Sequence, residues 1–333
     1  MSIAVCVGGT KQQPAVRLSC ALARRLQAAG KEVVLFALKG SIKQAGPVAL
    51  KEFGATATAK TLAGHFTKNN VTKVISLMNL RACEAALAAK IPFVYAEYDG
   101  FKEDKPSKTK KATLKKAKKV IVLCDGNQPL TKRTYTGLPA VRVTVPALGV
   151  EHYSWGRPAA FKKANNIIAV GSLTKESGFE MLLACWEKLA PLHPSWHLTL
   201  VGDGTLRAAL SRTITKKNLQ ASTELVSAAG GVEPFLAQAD IFISAADGSV
   251  RPDELLAAMA SKLPTLALDN TTTRRLIQNG FNGVLAADEN AFANALDNLM
   301  VDWGYRVGLA VNAATLKEQR PLDAFVKTVW ETL

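Results

Sequence analysis

Histidine and cysteine are scarce in this chain. Four histidines, His65, His152, His193 and His197, serve 333 residues, and none stands where an apolar run gives way to a loop. Five cysteines, Cys6, Cys20, Cys83, Cys124 and Cys185, are scattered, odd in number and without a CxxC pair. The spacing of zinc ligands and of redox dithiols is therefore missing, and no metal is expected. Four of the five lie in apolar runs, as reduced, buried thiols do, which suits a reducing compartment. No Gly-x-Ser-x-Gly elbow occurs, which removes the esterase nucleophile of that type. No stretch approaches the ~20 apolar residues needed to span a bilayer. The opening MSIAVCVGGT has no basic leader and its apolar run ends early in glycines, so a secretory signal is not expected. Acid is the minority sign: 27 acidic against 42 basic residues leave a formal charge of +15. Such a charge favours anionic partners, namely nucleotide phosphates, nucleic acid or an acidic lipid surface, and is silent on fold.

What the chain does have is alternation. Apolar residues make up 48% of it, enough to bury a core in each of two domains. IAVCVGG (3–9) reads as a buried strand, 14–29 as a helix stopping at Gly30, and EVVLFAL (32–38) as a second strand. Further strands are expected at 72–78, 92–98, 119–124 and 141–147, with helical segments between most of them. The stretch 150–165 breaks the pattern and reads as a linker. A second series then follows: strands at 167–173, 197–204, 223–231, 241–247, 264–269 and 283–288, with helices 178–191 and 205–218. The tail from 304 reads as helices, the last starting at Pro321. Alternation of this kind predicts parallel sheets wrapped by helices, an α/β fold in two tandem Rossmann-like β/α/β domains.

Glycines follow several expected strands. VGGTK (7–11) places Gly8, Gly9, Thr10 and Lys11 ahead of the first helix, where main-chain N–H groups can approach a phosphate or simply turn. VGDGTLRAAL (201–210) ends a strand in Gly202-Asp203-Gly204 and opens a helix at once, so Asp203 can fix the turn or cap the helix. GSLTKESG (171–178) repeats that geometry. A different feature is the run 101–119, which holds nine lysines between Lys102 and Lys119. It fits a solvated face, or a patch for anionic lipid or polynucleotide; beyond Phe101 it lacks the aromatics that stack on single strands.

The ordered landmarks GSLxxxxG, VGDGxLRxxL, GGVEPFLAQADIFIS, AAMASKLPTLAL and LIQNGFNGVL resemble the C-terminal domain of GT-B glycosyltransferases, and most closely the retaining group 4 family of lipopolysaccharide-core and mannosyl transferases. The resemblance covers 166–300 in register; GGT, IPFVYAEYDGF, KKVIVLCDG and VPALGVE extend it loosely into the first half. It implies two Rossmann-like domains facing a cleft, an acceptor-side domain over 1–155 and a nucleotide-sugar domain over 156–318, with a helix over 319–333 returning to the first. It implies a UDP-, GDP- or ADP-sugar donor, no further cofactor, no catalytic metal, and a glycan or lipid-linked acceptor, with the enzyme cytoplasmic and peripheral on the inner membrane face.

The resemblance also marks departures. The arginine and lysine that meet the donor diphosphate in that family fall on Ser172 and Ser177, its two glutamates on Ser249 and Ala257, and its acceptor-side histidine near Tyr98. The donor-site candidates are therefore Gly171, Ser172, Lys175, Ser177, Gly202, Asp203, Gly204, Ser249 and Arg251, with Lys175 and Arg251 as replacement cations. Candidate catalytic groups are Asp253, Glu254, Tyr98 and Asp99. For Asp253 and Glu254 the plainer reading is an acid pair stabilised by a helix N-terminus. Two other functions remain open: a degenerate member serving as binding or scaffold subunit to a partner protein, and a transferase acting on nucleic acid.

Overall fold

The computed structural model describes residues 2–7, 13–39, 42, 48–54, 56–98, 107–124, 138–144, 146, 148, 165–228, 231–248 and 252–332. The chain divides into two compact units, Met1–Pro146 with Arg320–Leu333, and Ala147–Gln319.

In the first unit the strands are β1 (Ser2–Val7), β2 (Val33–Leu38), β3 (Ala49–Phe53), β4 (Val71–Leu77), β5 (Phe93–Tyr98), β6 (Lys119–Cys124) and β7 (Ala140–Thr144). They pair in parallel in the order β3-β2-β1-β4-β5-β6-β7. All six residues of β1 are buried, which is why it reads as an unbroken apolar run and not as an alternation. The edge strand β3, ALKEF, has only Phe53 buried, so its polar composition hid it from the hydrophobic pattern. Helices α1 (Gln13–Ala28), α2 (Ala59–Lys68), α3 (Leu80–Ala88) and α4 (Lys108–Leu114) wrap this sheet. Phe36, Phe66, Phe93, Tyr95 and Leu114 are among the residues closing one of its cores.

The second unit carries β8 (Asn165–Val170), β9 (Trp196–Val201), β10 (Thr223–Val226), β11 (Ile241–Ser244), β12 (Thr265–Leu268) and β13 (Val284–Ala286). Their order, β10-β9-β8-β11-β12-β13 and again all parallel, is the doubly wound order of dinucleotide-binding sheets. Its helices are α5 (Phe179–Leu189), α6 (Arg207–Lys216), α7 (Glu233–Gln238), α8 (Asp253–Ala260), α9 (Glu289–Val301), α10 (Trp303–Ala313) and α11 (Leu316–Gln319). One core holds Trp186 and Phe292 fully buried between the sheet and α5, α6 and α9.

The last helix, α12 (Leu322–Trp330), begins after Pro321 and belongs to the first unit. Phe325 and Val329 are buried, Arg25 forks onto Asp323 at 2.6 and 2.9 Å, and Lys31 and Lys73 lie 4.5 and 4.8 Å from the Trp330 ring centre. Among the described residues no helix is long and apolar enough to cross a membrane.

The described part of the lysine run is amphipathic and not a plain solvated face. Ser107 caps α4 by accepting from the Lys110 amide at 3.1 Å. Thr113, Leu114 and Ala117 are buried. Lys110 turns inward as well: its Nζ lies 2.7 Å from Glu97 Oε2, which also accepts from the Tyr95 hydroxyl at 3.1 Å. Lys108 and Lys115 stand exposed on the other side. Four free cysteines, Cys6, Cys20, Cys83 and Cys185, are buried. Burial pushes Cys83 up to about 12 and Cys185 up to about 11, so both stay protonated at neutral pH.

Candidate functional site

A doubly wound sheet binds ligands at the carboxyl ends of its strands, where the order reverses. Here that point lies between β8 and β11. The loops after β8, β9 and β11 are locked together there by main chain. Leu173 N donates to Asp203 O at 3.0 Å, Leu206 N to Leu173 O at 3.0 Å, and Asp247 N to Glu176 O at 2.9 Å. Glycine is what permits this. A Cβ on Gly202 would sit 2.0 Å from Gly171 O, and one on Gly178, itself at φ +70°, 2.1 Å from Ala245 O. Backbones touch at these places, leaving no room for any side chain.

The candidate residues are distributed over this rim. Gly171, Ser172, Lys175 and Ser177 follow β8, and Ser172 and Lys175 are exposed. Ser177 is buried, its Oγ 3.5 Å from Thr174 Oγ1 and beside Gly171, so it packs the turn. Asp203 Oδ2 accepts from Ser227 Oγ at 2.8 Å and Ala228 N at 3.0 Å, so it ties the β9 loop to the β10 loop. The amides of Ser172, Gly204 and Thr205, all in exposed residues, have no acceptor among the described residues. Donors at such a sheet edge, close to helix starts, suit an anion. Asp253 and Glu254 open α8 directly after Pro252, where the helix dipole favours acids. Ala257 is part of the α8 core. Gly8, Gly9, Thr10, Lys11, Asp99, Ser249 and Arg251 lie outside the described residues, as does the Tyr98 side chain.

Two features of the rim escaped the sequence pattern. Arg207 bonds the carbonyls of Gly202 and Leu225, each at 3.1 Å, with Asp203 Oδ1 3.6 Å away. It sets a half-exposed cation at the ends of β9 and β10. Asn270 staples the β12 loop to the β11 loop: Nδ2 donates to Ala246 O at 3.2 Å, while Oδ1 accepts from Thr272 and Thr273 amides. Thr272 Oγ1 adds a bond to Gly248 O at 3.0 Å. The Asn-Thr-Thr-Thr run (270–273) was a legible turn signal for this. Beyond it, the Arg274 fork on Asp269 holds that carboxyl below its ordinary range. Among the described residues no cluster of His, Cys, Asp or Glu could hold a metal ion.

Residues 164–302 match the family model described as glycosyl transferases group 1. This segment is similar to group 1 glycosyltransferase domains. The chain is similar to the amylovoran biosynthesis glycosyltransferase AmsK of Erwinia amylovora, 28% identical over 182 residues, covering 50% of this chain and 44% of that protein. It is also similar to the lipopolysaccharide core biosynthesis glycosyltransferase LpsE of Rhizobium meliloti, 23% identical over 146 residues, 43% of this chain and 42% of that one. The chain thus spans less than half the length of these curated relatives. Among solved structures, Anabaena HepE in complex with UDP and glucose aligns with a TM-score of 0.69 at 16% identity, over 100% of this chain and 99% of that one. That likeness shows the fold: two Rossmann-like parallel-sheet domains of the GT-B glycosyltransferase type.

Proposed function

We propose that the chain is a nucleotide-sugar-dependent glycosyltransferase with a rearranged donor site. It moves a sugar from a UDP-, GDP- or ADP-sugar to a glycan or lipid-linked acceptor, with retention, at the cytoplasmic membrane face. The observation that carries this reading is the set of amides of Ser172, Gly204 and Thr205, without acceptors among the described residues, on a glycine-keyed rim inside a segment similar to group 1 glycosyltransferase domains. These amides hold the diphosphate, with charge from Lys175, Arg207 and Arg251 in place of the family's cations. Preorganised donors of this kind also stabilise the charge that develops on the leaving diphosphate. HepE, crystallised with UDP and glucose, gives the reading its first donor to try.

Calorimetric titration with UDP, GDP, ADP and their glucose conjugates tests it. One nucleotide diphosphate is expected to bind, and Lys175→Ala to weaken it about tenfold, the worth of one charge-assisted contact of about 1.5 kcal/mol. No heat with any of them, and no sugar release, would count against the reading. A second reading, a binding or scaffold subunit without turnover, is favoured by the core position of Ala257, which leaves no carboxylate where the family resemblance puts one. Nucleotide binding without transfer to any acceptor would select it.

The acceptor side carries the lysine helix. Lys108, Lys111 and Lys115 share one side of α4 and its cap, apart from the inward Lys110. They draw the enzyme to an anionic lipid surface at about 1 kcal/mol per cation. The triple change of these three to Glu is expected to cut binding to vesicles containing phosphatidylglycerol at least a hundredfold, and to leave nucleotide binding unaltered. Equal binding by the triple variant in a flotation assay would remove the helix from that role. Salt-sensitive binding to duplex DNA in preference to vesicles would instead favour a nucleic-acid acceptor.

A further inference from the structure

The chain's positive charge is not shared between its two units. Residues 1–146 with 320–333 hold 27 basic against 10 acidic side chains, and 147–319 hold 15 against 17. A nucleotide diphosphate on the second sheet therefore leaves the excess unexplained. Much of it stands at one edge of the first sheet. The helices run back against the strands, so the turns from α2 to β4, α3 to β5 and α4 to β6 meet side by side at the amino ends of three neighbouring strands. Those turns, 68–73, 88–93 and 115–120, hold seven lysines and no acid. Among the described residues Lys68, Lys90, Lys116 and Lys118 are exposed, Lys119 is half-buried, and none of the five has an acidic partner. The lysines assigned above to a lipid surface, Lys108, Lys111 and Lys115, are not among these five.

A helix C-terminus favours a cation, which accounts for a lysine after each helix. It does not account for the missing acids, nor for Lys118 and Lys119, which lead into a strand. The second sheet is the internal comparison, since it is built the same way. There Lys188, in the last turn of α5, lies 2.9 Å from Glu289, Lys217 after α6 pairs with Glu187, and Asp240 precedes β11. Lys188 and Lys217 are met from within; the five lysines of the first edge are left for something outside the chain.

We propose that this edge of the first unit is a docking track for an acidic glycan, a flexible chain that carries carboxylate or phosphate groups. The proposal rests on the glycan acceptor argued above and names its charge. Shape selects the polymer. Adjacent strands turn by about 20–25°, so from Lys31 before β2 to Lys119 on β6 the cations wind through roughly 80–100° and do not share a plane. A flat bilayer meets part of such a row, and a flexible chain can follow all of it. Among the described residues of this unit no large apolar side chain is exposed, so nothing there inserts into lipid. Nucleic acid is less suited. The edge offers tight turns and no helix or ribbon to enter a groove, and Trp330 has Lys31 and Lys73 against its ring in place of a stacked base. Lysines on long stems suit scattered point charges, where arginine would mark a planar, bidentate fit.

Fluorescence anisotropy on the full chain with labelled polygalacturonate fragments and labelled dextran, in about 100 mM salt, tests this. Polygalacturonate is expected to bind and neutral dextran not to. The triple change Lys68→Glu, Lys90→Glu and Lys118→Glu is expected to weaken binding about a hundredfold, as three attractions become repulsions. The same charge change on exposed residues of the second unit, Arg212→Glu, Lys216→Glu and Lys262→Glu, is expected to weaken it less than about threefold. Lys90→Gly relieves left-handed backbone at φ +58°, so it is expected to melt no lower than wild type and still to bind about threefold more weakly. No binding of polygalacturonate, equal binding of dextran, or equal losses from the two triples overturns the inference. So does binding to phosphatidylglycerol vesicles or duplex DNA that the first triple abolishes while polygalacturonate binding persists. Nucleotide titration of the same proteins keeps the two readings apart: both triples are expected to bind it as the wild type does, and its failure bears on the donor reading alone.

Discussion

Gly178→Ala should unfold the second unit's rim and abolish nucleotide binding. The new Cβ would lie 2.1 Å from Ala245 O and 2.6 Å from the carbonyl carbon, and main chain at the end of β11 cannot yield without opening the sheet edge. Left-handed backbone adds about 1–2 kcal/mol for any residue with a Cβ. The total is on the order of 3–5 kcal/mol, the range reached only by collisions and lost cores. Gly280→Ala is the control: it shares the conformation, at φ +75°, but has nothing within 4 Å. It should cost only the strain of about 1 kcal/mol. Urea denaturation of the two variants separates collision from strain. Equal costs would mean that the contact between the loops after β8 and β11 is not what requires glycine at 178.

The second large effect is expected at Lys110. Lys110→Met leaves Glu97, itself buried, accepting from the neutral Tyr95 hydroxyl without its cation, and breaking a buried pair from one side costs about 3–5 kcal/mol. Lys115→Met, a few residues on and exposed, should cost less than about 0.5 kcal/mol. The double variant Glu97→Leu/Lys110→Met should recover much of the loss, because a well-packed apolar pair replaces two desolvated charges at little net cost. Chemical denaturation of the three variants decides it. A Lys110→Met protein as stable as Lys115→Met would show that the pair contributes nothing to holding α4 on the sheet.

These two sites show where the sequence was legible and where it was not. The buried strands of both sheets announced themselves, because residues such as those of β1 and β9 are apolar or enclosed along their whole length. β3 did not, since an edge strand exposed on both sides of Phe53 needs no apolar period. In the sequence, Gly171, Gly202 and Gly204 after β8 and β9 stand only as donor-site candidates. The structure gives them a prior duty, direct contact between loops, which depends on residues dozens of positions apart and so leaves no local signature. Gly202 against Gly171, and Gly178 against Ala245, are tertiary facts. Lys110 is the same case. Nine lysines look alike in a sequence, and only the fold selects the one that meets Glu97.

The donor-site substitutions were legible as departures from a resemblance, and the fold supplies physical content for part of them. Ser177 is spent on its own turn and Ala257 on the core of α8, so neither position bears a ligand-binding group. Exposed main-chain donors at 172, 204 and 205 and the cation of Arg207 are what the rim offers instead.

Hydrogen exchange of the full chain with and without UDP tests that claim most directly. Saturating UDP is expected to slow exchange in peptides covering 171–178 and 202–206, with α1 and α12 unaffected. Exchange unchanged at those loops with UDP, GDP and ADP each at saturating concentration in turn would contradict the account.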